Sequence, residues 1–208
     1  MKKCKIGVLA TGGGTNLQAI IDACESGMIP GEVVVVIANK KDAYVLERAK
    51  KHNIDSILID RSKCRNMKEF SDKAALELNN RSVDLVCLAG FLLKLAPSFI
   101  AEFGNRILNI HPALLPAFGG EGMYGHHVHE AVLKSGARFS GPTVHFVDEE
   151  YDKGAIILQD VVPVMDNDTP ESLHKRVLEK EHIIFPKAVK YFCENKLVIS
   201  GKRVIIKE

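Results

Sequence analysis

Residues 32–38 read Glu-Val-Val-Val-Val-Ile-Ala, and this run decides the fold. Valine is branched at Cβ and suits a pleated strand. Four valines in succession leave no polar face for solvent, the pattern of a strand buried on both sides in a parallel sheet. Toward the N-terminus, residues 5–10 form a second apolar strand that runs into Thr11-Gly12-Gly13-Gly14-Thr15-Asn16. Leu17, Ile20, Ile21 and Cys24 then recur at i, i+3, i+4 and i+7, which predicts a helix ending near Gly27. Toward the C-terminus, Asp42 is placed to cap a helix through Lys51, and Ser56–Ile59 is a short strand. Asn66 and Glu69 have capping-box spacing ahead of a helix to Leu78. Asp84–Ala89 is a buried strand, followed by Gly90-Phe91 and a short helix around Pro97–Phe103. Strand and helix thus alternate at βαβ spacing, which predicts a parallel sheet.

The second half reads differently. Residues 116–127 are a glycine-rich loop, and a helix is expected from about Val128 to Lys134. Thr143–Val147 and Ala155–Val164 are strands joined by the acidic turn 148–154, a hairpin arrangement. Thr169 is the expected cap of a long helix with Pro170 at its first position. Pro186 should kink or divide that helix. A last hairpin, Leu197–Ile199 with Val204–Ile206, turns near Ser200-Gly201. The expected fold is α/β: a Rossmann-like open twisted sheet, parallel in its N-terminal half, with an antiparallel hairpin contribution from the C-terminal half.

Composition narrows the class. The 208 residues fit a single domain, and 46% hydrophobic content supplies a sizeable core. Twenty-eight basic against 26 acidic residues leave a net charge of +2, too even for a nucleic-acid or membrane surface. Cys4, Cys24, Cys64, Cys87 and Cys193 are scattered without a CxxC pair, so neither a disulfide framework nor a zinc ribbon is suggested. Met1-Lys2-Lys3 leads straight into the first strand without a signal peptide, and no apolar run approaches membrane-spanning length. A cytoplasmic, globular chain is expected.

The residues best suited to chemistry are Ile-Leu-Asn-Ile-His-Pro, 107–112. Side chains alternate along a strand, so Asn109 and His111 share one face and Leu108 and Ile110 the other. Pro112 ends the strand, which leaves an amide and an imidazole at its C-terminal end, where open α/β sheets place ligands. The amide can donate to a developing oxyanion and the imidazole can move a proton near neutral pH. A polar strand end with an internally satisfied histidine is the alternative. The Gly12–Asn16 loop fits a site for a single phosphate at a helix N-terminus, or an unliganded turn. It is not a Walker loop, and it fits the dinucleotide fingerprint poorly: Leu17 stands where the third glycine belongs, and Asn39-Lys40-Lys41 replaces the ribose-binding acid. Asp152 serves either its turn or His111. His126, His127 and His129 invite a metal reading, but no second cluster with ligand spacing accompanies them. His145 lies in a strand and fits a core histidine equally well, and His174 and His182 read as ordinary helix residues.

Taken together, Gly-Gly-Gly-Thr-Asn-Leu-Gln (12–18), Leu-Ala-Gly-Phe (88–91), Leu-Asn-Ile-His-Pro-Ala-Leu-Leu-Pro (108–116) and Thr-Val-His-Phe-Val (143–147) with Asp152-x-Gly154 closely resemble the phosphoribosylglycinamide formyltransferases. These are folate-dependent enzymes of purine synthesis, and the match runs from the first strand to about Pro186. The resemblance implies one formyltransferase domain over 1–208, with a phosphate-binding half in 1–100 and a catalytic and folate-binding half in 101–208. It implies that Asn109, His111 and Asp152 are catalytic. Gly14, Thr15 and Asn16 would hold the phosphate of glycinamide ribonucleotide, and Glu181 its sugar hydroxyls. Leu92, Leu93, Lys94 and Leu95, with Asp148, Glu149, Glu150, Tyr151 and Asp152, would line the pocket of the co-substrate 10-formyltetrahydrofolate, and Asn109 would face it. His111 would work as a cation kept charged by Asp152. Small-molecule substrates, no metal, no nucleic-acid or membrane partner, and a monomer or homodimer are expected.

Two departures from well-known members concern the folate's glutamate tail and the loop. Met67 and Leu93 stand where those members carry arginines, with Arg65, Lys68 and Lys94 adjacent. The segment 117–127 is longer and richer in glycine, which suggests a mobile lid. Methionyl-tRNA formyltransferase shares the Asn-x-His-Pro chemistry but would need a basic C-terminal RNA-binding domain. Formyltetrahydrofolate deformylase shares the core but usually carries an extra N-terminal domain. A non-catalytic dinucleotide-binding module is disfavoured by the missing glycine and ribose acid.

Overall fold

The structure, a computed structural model, describes residues 2–207. The valine run forms β2 (Gly31–Ala38) beside β1 (Cys4–Ala10), with α1 (Thr15–Glu25) between them in sequence. Then follow α2 (Val45–Lys51), β3 (Asp55–Leu58), α3 (Met67–Asn80), β4 (Leu85–Leu88), α4 (Pro97–Glu102) and β5 (Ile107–His111). The second half contributes α5 (His126–Ser135), β6 (Phe139–Ser140), β7 (Thr143–Phe146), β8 (Ile156–Gln159), β9 (Val162–Pro163), α6 (Pro170–Cys193), β10 (Leu197–Ser200) and β11 (Arg203–Ile206). Nine strands make one sheet in the order β10-β11-β8-β7-β5-β4-β1-β2-β3. β3, β2, β1, β4 and β5 are mutually parallel, whereas β7 runs antiparallel to both β5 and β8. The expected parallel half and antiparallel contribution are both present.

Alternation along the strands feeds two cores. Ile6, Val8, Val36 and Leu108 face Leu17 and Ile20 of α1 and Phe185 and Val189 of α6. Leu9, Val35, Ile37, Val86 and Ile107 face Phe70 and Leu78 of α3 and Phe99 of α4. Burial on both faces is the reason the β2 sequence is so uniformly apolar. Strand order reverses between β1 and β4, the switch point at which the loops after neighbouring strands diverge and open a crevice.

Several local expectations are corrected. Asp42 does not cap α2. Tyr44 precedes that helix without a side-chain cap, and the Val45 N–H instead donates to Gly12 O at 3.1 Å, which ties the start of α2 to the glycine loop. Asn66 does accept from the Glu69 N–H at 2.9 Å, but the Glu69 carboxylate turns to the backbone N–H and guanidinium of Arg65, so only half of the capping box forms. The complete box lies at Thr169 and Ser172. α5 begins at His126, two residues before Val128. The segment 155–164 is two strands: after Gln159 the chain leaves the main sheet, and β9 pairs with β6 in a separate ribbon. Pro142, next to this break, has no N–H for the ladder. Pro186 does not divide α6, which is continuous over 24 residues. An interior proline costs a helix about 3 kcal/mol. Burial of Phe185, Ala188 and Val189 on either side offsets that cost. Among the described residues, no helix is long and apolar enough to cross a membrane.

The turn joining β7 to β8 leaves no room at Gly154, where a Cβ would lie 1.8 Å from Phe146 O. Gly154→Ala is expected to destabilise the protein by about 3 kcal/mol, the upper end for overpacking, and to displace Asp152. Gly201→Ala, with positive φ but open space around it, should cost only about 1 kcal/mol. Urea denaturation of the two variants checks the contrast, and equal costs would contradict the close approach.

Candidate active site

The C-terminal edge of the sheet opens into a cavity of about 700 Å³. Its wall begins at Gly12–Asn16 after β1, continues through Leu88–Leu95 after β4, and reaches Asn109–Pro112 at the end of β5. The 148–152 turn, Gly120–Gly125, and His174, Leu178 and Glu181 of α6 complete it. The two βα loops are bound together, because Thr11 N–H donates to Gly90 O at 3.1 Å and Leu92 N–H to Thr11 Oγ1 at 3.1 Å.

Asn109, His111 and Asp152 converge on the cavity floor, where alternation on β5 predicts the first two. His111 is 3% exposed. Its Nδ1 lies 3.6 Å from Asp152 Oδ2, and its Nε2 lies 2.8 Å from Phe118 O, to which an Nε2–H donates. Asp152 reaches this position because its residue adopts φ +54° in the turn, a left-handed conformation that Asp tolerates better than most residues. Its Oδ2 also accepts from the Gly120 N–H at 2.9 Å. The loop expected to act as a lid is therefore bonded to two of the three catalytic candidates, His111 and Asp152.

His145 joins this group. Cross-strand register places it opposite Asn109. With its Nδ1–H donated to Phe146 O at 2.7 Å, its Nε2 is left to accept from the Asn109 amide at 3.1 Å. That bond sets the direction in which the amide points, and Asp152 Oδ1 lies 3.6 Å from the same nitrogen. Composition gave no reason to separate His145 from a core histidine. The missing information was the pairing of β5 with β7, two strands far apart in sequence.

The electrostatics differ from expectation at His111. Burial pushes its pKa down, and although Asp152 and the Phe118 carbonyl push it up, the net position is below 6.5. Burial thus favours the neutral ring over the cation, against the pull of Asp152. Both ring nitrogens face acceptors, so the charged form has partners ready once negative charge develops nearby. Burial pushes Asp152 up, but His145, His111 and the Gly120 amide outweigh it and hold the carboxyl below 3.8.

At the opposite end, the Asn16 amide donates to Glu181 Oε2 at 2.6 Å. Both side chains are buried in the cavity wall, and Asn16 Oδ1 has no partner among the described residues. Burial raises the Glu181 pKa, and the Asn16 bond only partly opposes it. Gly14 and Thr15 line the same corner. A Cβ on Gly14 (φ +71°) would lie 2.6 Å from Val45 Cγ2, so α2 packs directly behind the loop.

Leu92, Leu93, Lys94 and Leu95 face the 148–152 turn across the cavity, and the Lys94 ammonium sits 4.9 Å from the Tyr151 ring centroid. Asp148, Glu149 and Glu150 line this end as expected. Met67 does not. It packs against the core beneath α3 and takes a hydrogen bond from Arg61 Nε to its sulfur at 2.9 Å.

His129, one of the 126–129 cluster at the entry to α5, and His174, expected as an ordinary helix residue, both line the cavity. His174 Nδ1 is 3.2 Å from His129 Nε2. The available signal was the spacing of His174, Leu178 and Glu181 at i, i+4 and i+7, one face of α6. Among the described residues, no three His, Cys, Asp or Glu side chains are grouped so as to hold a metal ion.

Comparison with known proteins agrees with this geometry. The family model described as "Formyl transferase" matches residues 4–189. A chloroplastic phosphoribosylglycinamide formyltransferase of Arabidopsis thaliana is 45% identical over 197 residues, covering 94% of this chain and 68% of that protein. The phosphoribosylglycinamide formyltransferase of Haemophilus influenzae is 44% identical over 193 residues, covering 93% and 89%. The crystal structure of glycinamide ribonucleotide transformylase 1 from Symbiobacterium toebii superposes with a TM-score of 0.95 at 46% identity, covering 99% of this chain and 95% of that one.

Burial takes the His129 pKa down to about 4, with His174 and His126 adding to the shift. A histidine whose folded pKa lies below its unfolded value stabilises the fold fully above pH 6.5, and that stability is lost as pH falls toward 4. The urea midpoint should therefore drop between pH 6.5 and pH 4, and His129→Gln should flatten the drop. Identical pH profiles for the variant and the parent protein would remove His129 as a cause.

Proposed function

The chain belongs to the formyl transferase family, and on that premise we propose that it transfers the formyl group of 10-formyltetrahydrofolate to the amine of 5-phosphoribosylglycinamide, a step of purine biosynthesis. The observation that carries the reading is one cavity whose floor holds Asn109, His111 and Asp152, with a glycine loop and Glu181 at one end and the Leu92–Leu95 and 148–152 segments at the other. A nucleotide and a folate each have an end, and they meet over the floor.

At the nucleotide end, the free amides of the Gly14–Asn16 turn receive the phosphate. Asn16 Oδ1 and Glu181 are adjacent acceptors suited to two sugar hydroxyls. At the folate end, Leu92, Leu93 and Leu95 supply apolar wall and the 148–152 backbone supplies polar contacts. Met67 does not line this pocket, whereas Lys94, next to Leu93, does and is available to the folate's glutamate tail.

In the reaction, the substrate amine attacks the formyl carbon and a C–N bond forms, giving a tetrahedral intermediate with an oxyanion. Asn109, aimed by His145, donates to that oxygen, and His111 donates beside it. One donor of this kind is worth about 3–4 kcal/mol. As the C–N bond forms, the proton lost by the amine is relayed through water to His111, whose cationic form Asp152 then stabilises. The bond to the folate nitrogen breaks, and the same proton returns through water to that nitrogen. His111 Nε2–H donates to Phe118 O, so the 117–127 loop shifts when that donor turns to the oxyanion. The enzyme acts on small molecules in the cytoplasm, without a nucleic-acid or membrane partner, as a monomer or homodimer.

Four measurements test the reading. Tetrahydrofolate release should require glycinamide ribonucleotide; release with water alone would instead indicate a deformylase. Asn109→Ala and His111→Ala should each lower kcat by about 10²–10³ with smaller effects on KM, and the losses should be non-additive because both serve one oxygen. Asp152→Asn should lower the His111 pKa further, read by NMR titration, together with kcat. Thr15→Asp should raise the ribonucleotide KM by at least tenfold and spare the folate KM, whereas equal losses for both ligands would reduce the loop to a structural role.

A further inference from the structure

The phosphate loop is held from behind by α2. Val45 N–H donates to Gly12 O at 3.1 Å, and Arg48 Nε donates to Gly13 O at 2.7 Å. Both bonds pull carbonyls of consecutive peptide units toward α2. In a trans peptide the N–H points opposite to its carbonyl, so the Gly13 and Gly14 amides are turned away from α2. Those residues line the cavity. The first-turn amides of α1 have no intrahelical acceptor and add to the same array. Asn16 Oδ1, more than nine-tenths buried and without a partner among the described residues, marks the adjoining wall as prepared for a ligand.

Arg48 is itself fixed on three sides. Its Nη1 donates to Gln18 Oε1 on α1 at 3.2 Å, and its guanidinium carbon lies 5.1 Å from the Tyr44 ring centroid. It does not line the catalytic cavity, but lies in an adjoining groove with Thr15, Gln18 and His182. The guanidinium therefore places a permanent positive charge immediately behind the loop and bridges α2 to α1 across it.

We propose that Arg48 is a positioning residue for substrate recognition: by holding the Gly13 carbonyl and supplying a fixed charge behind it, it orients the loop amides toward a phosphate monoester. The inference rests on the reading of the loop given above and adds the group that sets its geometry. Arg48 touches no reacting atom, so its effect falls on binding of the phosphorylated substrate and not on the chemical step.

Steady-state kinetics of Arg48→Met, with glycinamide ribonucleotide and with the phosphate-free glycinamide riboside, separates this role from general support of the fold. KM for the ribonucleotide should rise at least tenfold. The kcat, the folate KM and the kcat/KM for the riboside should stay within threefold of the parent values. Arg48→Lys, which keeps the charge and one donor, should recover part of the loss. Equal losses on both acceptors, or an unchanged ribonucleotide KM, would overturn the proposal. Calorimetry with inorganic phosphate gives a readout independent of turnover: its Kd should rise at least tenfold in Arg48→Met, and equal Kd values in the two proteins would likewise overturn it. A parent protein that binds phosphate in an Arg48-dependent way but does not formylate glycinamide ribonucleotide would refute the reaction assigned above while leaving the role of Arg48 supported.

Discussion

The antiparallel ladder between β5 and β7 is the contact on which the rest of the site depends. β5 lies beside β4 on its parallel edge and β7 on its antiparallel edge, and this is where the sheet changes character. The register sets Asn109 against His145, so a strand that follows much later in the chain orients the donor carried by β5. A slip of one residue would exchange the faces of every side chain on β5, putting Leu108 and Ile110 into the cavity and Asn109 and His111 into the core. The apolar demand of the core therefore fixes the polar geometry of the floor.

The polar groups of the site are held in a setting that works against their charges. Burial pushes His111 and His129 toward neutrality and raises Glu181, while Asp152 is kept ionised by histidines and a backbone amide that together outweigh its desolvation. A neutral imidazole beside a carboxylate is poised, because a small change in nearby charge alters which protonation state has the lower free energy. The 117–127 loop enters this balance directly through Phe118 and Gly120, whose backbone groups bond to His111 and Asp152.

The glycine loop shows the same interdependence at a distance. Its own residues supply flexibility and free amides, but α2 determines where they point. Gly14 is required because its φ is positive and Val45 leaves no space for a side chain. The expected Asp42 cap is replaced by a bond from Val45 to the loop itself, so the helix start and the loop stabilise one another.

Much of this was readable in the sequence. The valine run pointed to a sheet covered on both faces, periodicity located α1, cap spacing located α3, and alternation alone put Asn109 and His111 on one face of a strand ending at Pro112. These are short-range features, set by the two-residue repeat of a strand, the 3.6-residue repeat of a helix and the missing N–H of proline. The failures share one cause, which is that the winning partner is remote in sequence. His145 gained its role from a strand partner 36 residues away, and α6 continues through Pro186 because α1 and the sheet cover Phe185, Ala188 and Val189 beside it. The neutral state of His111 likewise depends on burial, which no local pattern encodes. Sequence determined which side chains each element offers and to which face. Only the tertiary structure decided which of them meet, because hydrogen-bond partners and desolvation are set by packing between distant segments.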